Sequence, residues 1–344
     1  MRKKIIAMLL VVFLMTVLAG CGGGAGAETP SGDPGSDPGT ESPGTEPAAR
    51  VGVIFPGSIR DGGWNEDSFA HLQAAADTYN VEYSYQESVA PGEAADVMRN
   101  FAYDGYDLII ANDINYGDIA KEVAEEFPDI QFVVTAAYVS GDNLASISTT
   151  NWENTYLAGV LAGLVTETDN IGILTATDSE VARKMRQGFA NGAKSVNPGV
   201  TIQTAFTGSW DDIVKGKELI GSMITQGADV IYSQSGNVNA GAVEAAQEAG
   251  IKAIGAIVDM TDLAPDTVVA SAIASPGALI DYMIGQYIDG TIEGKVYIVG
   301  VKDGAEGLVF NPAFEAELAG EVMDTLADVE AKFAAGEIEE PVAE

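Results

Sequence analysis

Val51-Gly52-Val53-Ile54-Phe55, followed by Gly57-Ser58-Ile59-Arg60-Asp61-Gly62-Gly63-Trp64-Asn65, decides the reading of this chain. The first five residues are an unbroken apolar run of strand length, as expected of a strand covered on both faces. From Glu66 to Tyr79 the residues Phe69, Leu72, Ala76 and Tyr79 recur at helical spacing. The stretch 57–65 between them is therefore the loop leaving the carboxyl end of a first parallel strand, the place where open α/β sheets bind ligands. The loop holds a carboxylate (Asp61), the glycine pair Gly62-Gly63, an indole (Trp64) and an amide (Asn65). Such a set can stack on a flat polar molecule and aim a few hydrogen bonds at it. The competing reading is a helix-initiation loop with Asn65 as N-cap. From this stretch alone both stand open.

Outward from it, strand and helix patterns alternate. Strands are predicted at 51–55, 81–85, 108–111, 131–135, 170–174, 201–206, 229–232 and 252–257, and helices at 66–79, 92–101, 117–127, 153–166, 179–196, 211–226 and 238–249. Further segments at 268–273, 278–288, 295–300 and 314–335 complete the architecture. Repeated units of this kind build doubly wound parallel sheets. Four strand–helix units precede 146–151 and four follow, so two sheets in two lobes are expected. Tyr156–Gly163 is an apolar helical stripe with small residues between, which reads as packing.

Beyond the carboxyl ends of these strands lie Asp61, Trp64 and Asn65, then Asn112, then Tyr138, then Trp210 in Gly208-Ser209-Trp210-Asp211, then Gly236, then Asp259; Trp152 sits beside the proposed crossover. All three tryptophans thus fall at loop positions of one rim. They serve either as ligand plates or as core residues that bury loops.

The ends and totals bound the rest. A basic start (Arg2, Lys3, Lys4), an apolar run from Ile5 to Val17 and then Leu18-Ala19-Gly20-Cys21 predict a signal peptide over 1–20. Leu-Ala-Gly-Cys resembles a bacterial lipobox, which implies a lipid on Cys21 and a chain anchored on the extracytoplasmic face of the cell membrane. Residues 22–50 are rich in Gly, Pro, Ser, Thr and acids and read as a disordered tether. Cys21 is the sole cysteine, so no internal disulfide is possible. A formal net charge of −34 argues against nucleic acid, which needs clustered Lys and Arg. His71 is the sole histidine and stands without a second ligand, so neither a metal set, nor a cofactor motif, nor a Ser-His-Asp triad emerges. No enzyme is expected.

Taken in order, Asp61-Gly62-Gly63-Trp64-Asn65, Tyr156-Leu157-Ala158-Gly159, Gly188-Phe189 with Gly192-Ala193, Gly208-Ser209-Trp210-Asp211-Asp212, Lys215-Gly216-Lys217-Glu218, Gly227-Ala228-Asp229-Val230-Ile231, Gly255 with Asp259, and Phe333-Ala334-Ala335-Gly336-Glu337-Ile338 resemble the basic membrane protein family. These are bacterial lipoproteins of the purine-nucleoside type that serve ABC importers as substrate-binding subunits. The resemblance implies a type I periplasmic-binding-protein fold, with two lobes joined by three crossovers and closing on a ligand. It gives Asp61 and Trp64 the holding and stacking of the ligand, Trp210 the cover of its other face, Asp259 the ribose hydroxyls, and Gly236 a close backbone approach. It implies a permease and an ATPase as partners and no cofactor. The chain departs from the pattern at Ala274, where the family commonly has Lys, and at Ala136-Ala137-Tyr138, where an aspartate is frequent. A nucleobase, a flavin-like vitamin, or sensing without transport therefore stand beside the nucleoside. The expected division is a first lobe of 51–148 and 261–294, a second lobe of 149–260 and 295–338, and a tail over 339–344.

Overall fold

The computed structural model describes residues 46–343. The predicted signal peptide, Cys21 and most of the predicted tether lie outside them; the last tether residues lie inside and are not tether, since Ala49 is buried in the core and Arg50 begins the first strand. The first half of the chain runs β1 (Arg50–Ile54), α1 (Trp64–Tyr79), β2 (Glu82–Gln86), α2 (Pro91–Tyr103), β3 (Leu108–Ala111), α3 (Gly117–Glu126), β4 (Gln131–Thr135) and β5 (Leu144–Thr149). It continues through α4 (Glu153–Val165), β6 (Asn170–Thr175), α5 (Glu180–Val196), β7 (Thr201–Phe206), α6 (Ile213–Thr225), β8 (Val230–Gln234), α7 (Val238–Ala249), β9 (Lys252–Ile257) and β10 (Val268–Ala274). The last part holds α8 (Pro276–Ile288), β11 (Val296–Val299), β12 (Glu306–Phe310), α9 (Glu315–Leu318) and α10 (Glu321–Ala335).

Two six-stranded sheets result, ordered β11-β5-β4-β3-β1-β2 and β12-β10-β9-β8-β6-β7. The first is parallel throughout; the second is parallel except for β12, which runs antiparallel to β10. Side-chain alternation sorts each strand onto two faces. In the first sheet Val51 and Val53 of β1 join the core under α1 and α8, while Ile54 joins the core under α2 and α3. In the second, Val230 and Tyr232 of β8 face the layer of α4, α5 and α10, and Ile231 faces α6 and α7. Exposure is concentrated on the edge strands β2, β7, β11 and β12, while the inner strands are buried almost throughout.

Four expectations need correction. Leu144–Thr149 is a strand rather than a bare crossover, and Glu306–Phe310 is a strand the apolar pattern missed; both are short and carry small or polar residues. The expected helix at 314–335 is broken, since Gly320 turns at φ +77° between α9 and α10. The lobe division also differs: β10 belongs to the second sheet and β11 to the first, whereas the boundaries 261–294 and 295–338 placed them the other way round. Strand membership is settled by pairing: β10 lies between β9 and β12, and Val296–Val299 lies along Ser146–Thr149, far back in the sequence.

The lobes are joined three times, between β5 and α4, between β10 and α8, and between β11 and β12. Each connection leaves the carboxyl end of a strand in one sheet and enters the other lobe at its corresponding end. The carboxyl ends of both sheets are thereby turned toward each other.

Candidate functional site

The loop after β1 is held by its own carboxylate. Asp61 Oδ1 accepts from the N–H groups of Gly63 (2.9 Å) and Glu66 (3.1 Å), and Oδ2 accepts from Asn65 N (3.2 Å) and Asn65 Nδ2 (2.7 Å). Glu66 answers by accepting from Gly62 N at 2.8 Å, where Gly62 turns at φ +70°. Burial raises the Asp61 pKa, but the donors of Gly63, Glu66 and Asn65 outweigh it and hold the carboxyl below its ordinary value. Asp61 thus satisfies the orphan donors at the start of α1. Asn65 is not the N-cap: Gly63 occupies that position, and Asn65 lies buried in the first turn.

Trp64 extends from this loop over the end of β3. Its Nε1–H donates to Asn112 O at 3.2 Å, and its ring is half-buried and packs against the core under α1 and α8. Asn112 is fully buried; its Oδ1 accepts from Thr135 Oγ1 at 2.8 Å, which leaves Nδ2 as an unpartnered buried donor. Asn65 Oδ1 and Ser68 Oγ, one turn apart on α1, are likewise buried without a partner among the described residues. Buried polar atoms of this kind are few in folded proteins. Tyr138, past the end of β4, is 56% exposed and its hydroxyl lies 3.3 Å from Ser148 Oγ.

In the second lobe, Thr207 and Ser209 shape the turn that carries Trp210. Ser209 Oγ accepts from Asp211 N (3.1 Å) and Asp212 N (3.2 Å), and Asp212 caps α6 through Lys215 N (3.0 Å). Asn237 Nδ2 donates to Asp211 Oδ1 at 2.8 Å and ties this turn to the one after β8. There Gly236 stands at φ +62°, and a Cβ on it would meet Trp210 O at 3.2 Å and Trp210 Cε3 at 3.3 Å. One side of the indole rests on that glycine, yet Trp210 remains 52% exposed. Gly236→Ala is therefore expected to lose about 1–2 kcal/mol from the left-handed backbone alone and to push the ring off its shelf. A lowered unfolding midpoint together with a changed tryptophan emission would show it.

Asp259 follows β9 after a sharp turn in which Ile257, a β-branched residue, adopts φ +73°. Such strain is uncommon outside functional loops. Asp259 Oδ1 accepts from Thr261 N (3.0 Å) and Ser271 Oγ (3.2 Å), and its other oxygen accepts from no described group.

Trp152 stands apart from this rim. It is 5% exposed and packs edge-on against Phe333 of α10, with ring centroids 5.5 Å apart, inside the core of the second lobe. Its place in the sequence matched the rim, but a helix nearly two hundred residues later covers it. The structure also brings in residues that the sequence reading passed over. Asp67 accepts from Ser275 Oγ (2.8 Å) and Gly277 N (2.9 Å), fastening α1 to the second crossover. Gln234, Asn154 and Glu306 form a buried polar group behind the Trp210 shelf. Glu306 alone left a trace in the sequence, as a single acid beginning an otherwise apolar Gly-Leu-Val-Phe run.

The rim is thus two surfaces, Trp64 with Asn112 and Tyr138 on one lobe, Trp210 with Gly236 and Asp259 on the other. Among the described residues every hydrogen bond between lobes lies at the crossovers.

Comparison with known proteins agrees with this architecture. The transcriptional activator protein Med of Bacillus subtilis is 25% identical over 315 residues, covering 91% of this chain and 93% of that one. A purine-binding protein of Brucella abortus is 28% identical over 299 residues, 85% of this chain and 83% of its own. An ABC transporter solute-binding protein from Conexibacter woesei superposes with a TM-score of 0.71 at 19% identity, over 86% of this chain and 99% of that one, a likeness of fold. Residues 48–343 match the Bmp family, described as ABC transporter substrate-binding protein, PnrA-like. With its type I periplasmic-binding-protein fold and nearly its whole described length inside that match, the chain belongs to the Bmp family and is a solute-binding protein, not an enzyme.

Proposed function

We propose that this chain is a lipid-anchored receptor, held at Cys21, that carries a purine nucleoside or nucleobase to an ABC permease. The observation that carries the reading is the Trp210 indole, backed by Gly236 and half exposed at the strand ends of one lobe. Trp64 supplies a second ring at the strand ends of the other. Two indole plates suit a planar heterocycle. The second oxygen of Asp259 suits a hydroxyl or ring N–H, and Asn65, next to Trp64, and Asn112, which its N–H contacts, hold unpartnered buried polar atoms. The purine-binding relative supports the same ligand class.

The mechanism is closure. Since the lobes share hydrogen bonds at the crossovers and not across the rim, a ligand touching both lobes gives the shut state contacts that the open state lacks. Binding then shifts the population toward it, and a permease reading the shut shape distinguishes loaded from empty receptor. Asp61 enters this reading as the group that fixes the Trp64 loop, its carboxylate already accepting four donors.

Titration calorimetry of the 46–344 unit with guanosine, adenosine, hypoxanthine and riboflavin tests the ligand class. Micromolar or tighter binding is expected for at least one of the three purine compounds. Riboflavin alone binding would move the assignment to flavin-like heterocycles, and silence from all four would reject a planar purine-like ligand.

A further inference from the structure

Glu306 opens β12 and is 3% exposed. Its carboxylate accepts from Thr150 Oγ1 (2.7 Å), Asn151 N (2.6 Å) and Asn154 N (3.1 Å), the residues that carry the first crossover into α4. Asn151 is held there at φ +63°, a conformation that needs outside support. The residue before Glu306 binds the second crossover, because Ser275 N donates to Ala305 O at 2.9 Å. Thr150 N donates to Val299 O at 3.0 Å, where the third crossover begins. All three connections between the lobes are therefore laced together within a few residues of one buried carboxylate. Rotation of one lobe against the other must strain this point.

The groups around Glu306 do not neutralise it. Ala274, its partner across the ladder, carries no charge. Glu153 on α4 is a second acid, half-buried, with Val301 N donating to it at 2.7 Å and with Asp303 and Lys302 acting on it from the third crossover. Tyr232 on β8 is a buried phenol whose own ionisation Glu306 opposes. What favours its charged form is the three donors and the amino end of α4.

We infer that Glu306 is a positioning residue for ligand binding: a proton-binding clasp over the three crossovers that makes lobe rotation, and through it ligand affinity, respond to pH near neutrality. The affinity part rests on the ligand site proposed above; the crossover part does not. Burial pushes the Glu306 carboxyl up to about 7, the Glu153 charge acts in the same direction, and the Thr150, Asn151 and Asn154 donors act against both. The sign follows by linkage. The arrangement that keeps the carboxyl from water binds a proton more tightly than one that hydrates it, where the ordinary value of 4.5 applies. As pH rises from that value toward 7, hydrated arrangements gain up to about tenfold per pH unit, and above 7 the gain levels off. The effect has a route to the rim. Asn154 donates its N–H to Glu306 and sets its Nδ2 3.5 Å from Gln234 Oε1, to which the Tyr232 hydroxyl also donates. Gln234 stands two residues before Gly236, the shelf of Trp210.

The test is hydrogen exchange of the full chain without ligand from pH 5 to 8.5, corrected for intrinsic exchange, together with affinities for guanosine, adenosine and hypoxanthine over the same range. The opening of segments 149–155 and 299–308 is expected to increase toward pH 7 and then flatten, and the affinity of whichever compound binds is expected to change over the same interval. Glu306→Gln should remove both dependences. Glu153→Gln, which keeps an acceptor for Val301 N, should move the midpoint to lower pH without removing the dependence. A wild-type profile flat across the range, or a slope that survives in Glu306→Gln, overturns the inference. An affinity that ignores pH while the segments respond overturns the positioning role. Segments that respond while no purine binds would uphold the clasp and reject the purine reading.

Discussion

Gly192→Ala should cost the fold about 3 kcal/mol, at the upper end of what overpacking a tight interior costs. A Cβ at Gly192 would fall well inside contact distance of Tyr156 O, and one at Gly159 would do the same to Phe189 O. The obstacle in both cases is backbone, which cannot rotate away as a side chain can. The helices α4 and α5 meet along Gly159, Gly163, Gly188 and Gly192, and α4 is buried over ten of its residues, so neither helix can back off without opening the core. Helix propensity works the other way, since alanine in place of glycine in a helix is worth about 1 kcal/mol, and here the clash exceeds it. Gly221→Ala supplies the contrast. That glycine lies within α6 with nothing within 4 Å of an added Cβ, so the change should stabilise by about 0.5–1 kcal/mol. Chemical unfolding of both variants beside the parent gives the comparison, and equal shifts in the two would remove close helix approach as the explanation. Gly159→Ala and Gly192→Ala combined should cost less than the sum, because the separation forced by one makes room for the other.

Trp210→Ala should weaken ligand binding by roughly ten- to a hundredfold, the equivalent of about 1–3 kcal/mol for a base stacked on an aromatic ring. The ring is half exposed, and its removal frees little core volume, so stability should change far less. Trp152→Ala should behave in the opposite way. Its ring is buried against Phe333, and deleting a buried tryptophan typically costs about 3–5 kcal/mol. Measured side by side, one variant should lose affinity while retaining its unfolding midpoint, and the other should lose its midpoint first. If Trp210→Ala binds the ligand as the parent does, Trp210 does not form part of the site.

These two indoles show where a sequence stops informing. Trp64, Trp152 and Trp210 all lie just before predicted helices, and nothing local separates them. The difference comes from what covers each one. Phe333 arrives on α10 to bury Trp152, while Trp210 rests against Gly236 and stays half exposed. The stripe Tyr156–Gly163 was legible as packing, because small residues at helical spacing on an apolar helix have few other uses, but its partner helix was not legible. Asp61 was legible as important and its manner was not. Spacing places a carboxylate before a helix, and only coordinates show that four donors already converge on it.

The amino-acid sequence by itself determined the alternation of strands and helices, the two-sheet architecture and the family, because apolar period and motif order are local properties that survive without coordinates. Tertiary structure alone decided that β10 and β11 exchange lobes, that β5 and β12 exist as strands, and that a lone acid at position 306 gathers all three crossovers. Each of these depends on which backbone a short segment meets in the fold, as β11 meets β5 and Glu306 meets Asn151 across long stretches of chain, and no local pattern encodes that choice.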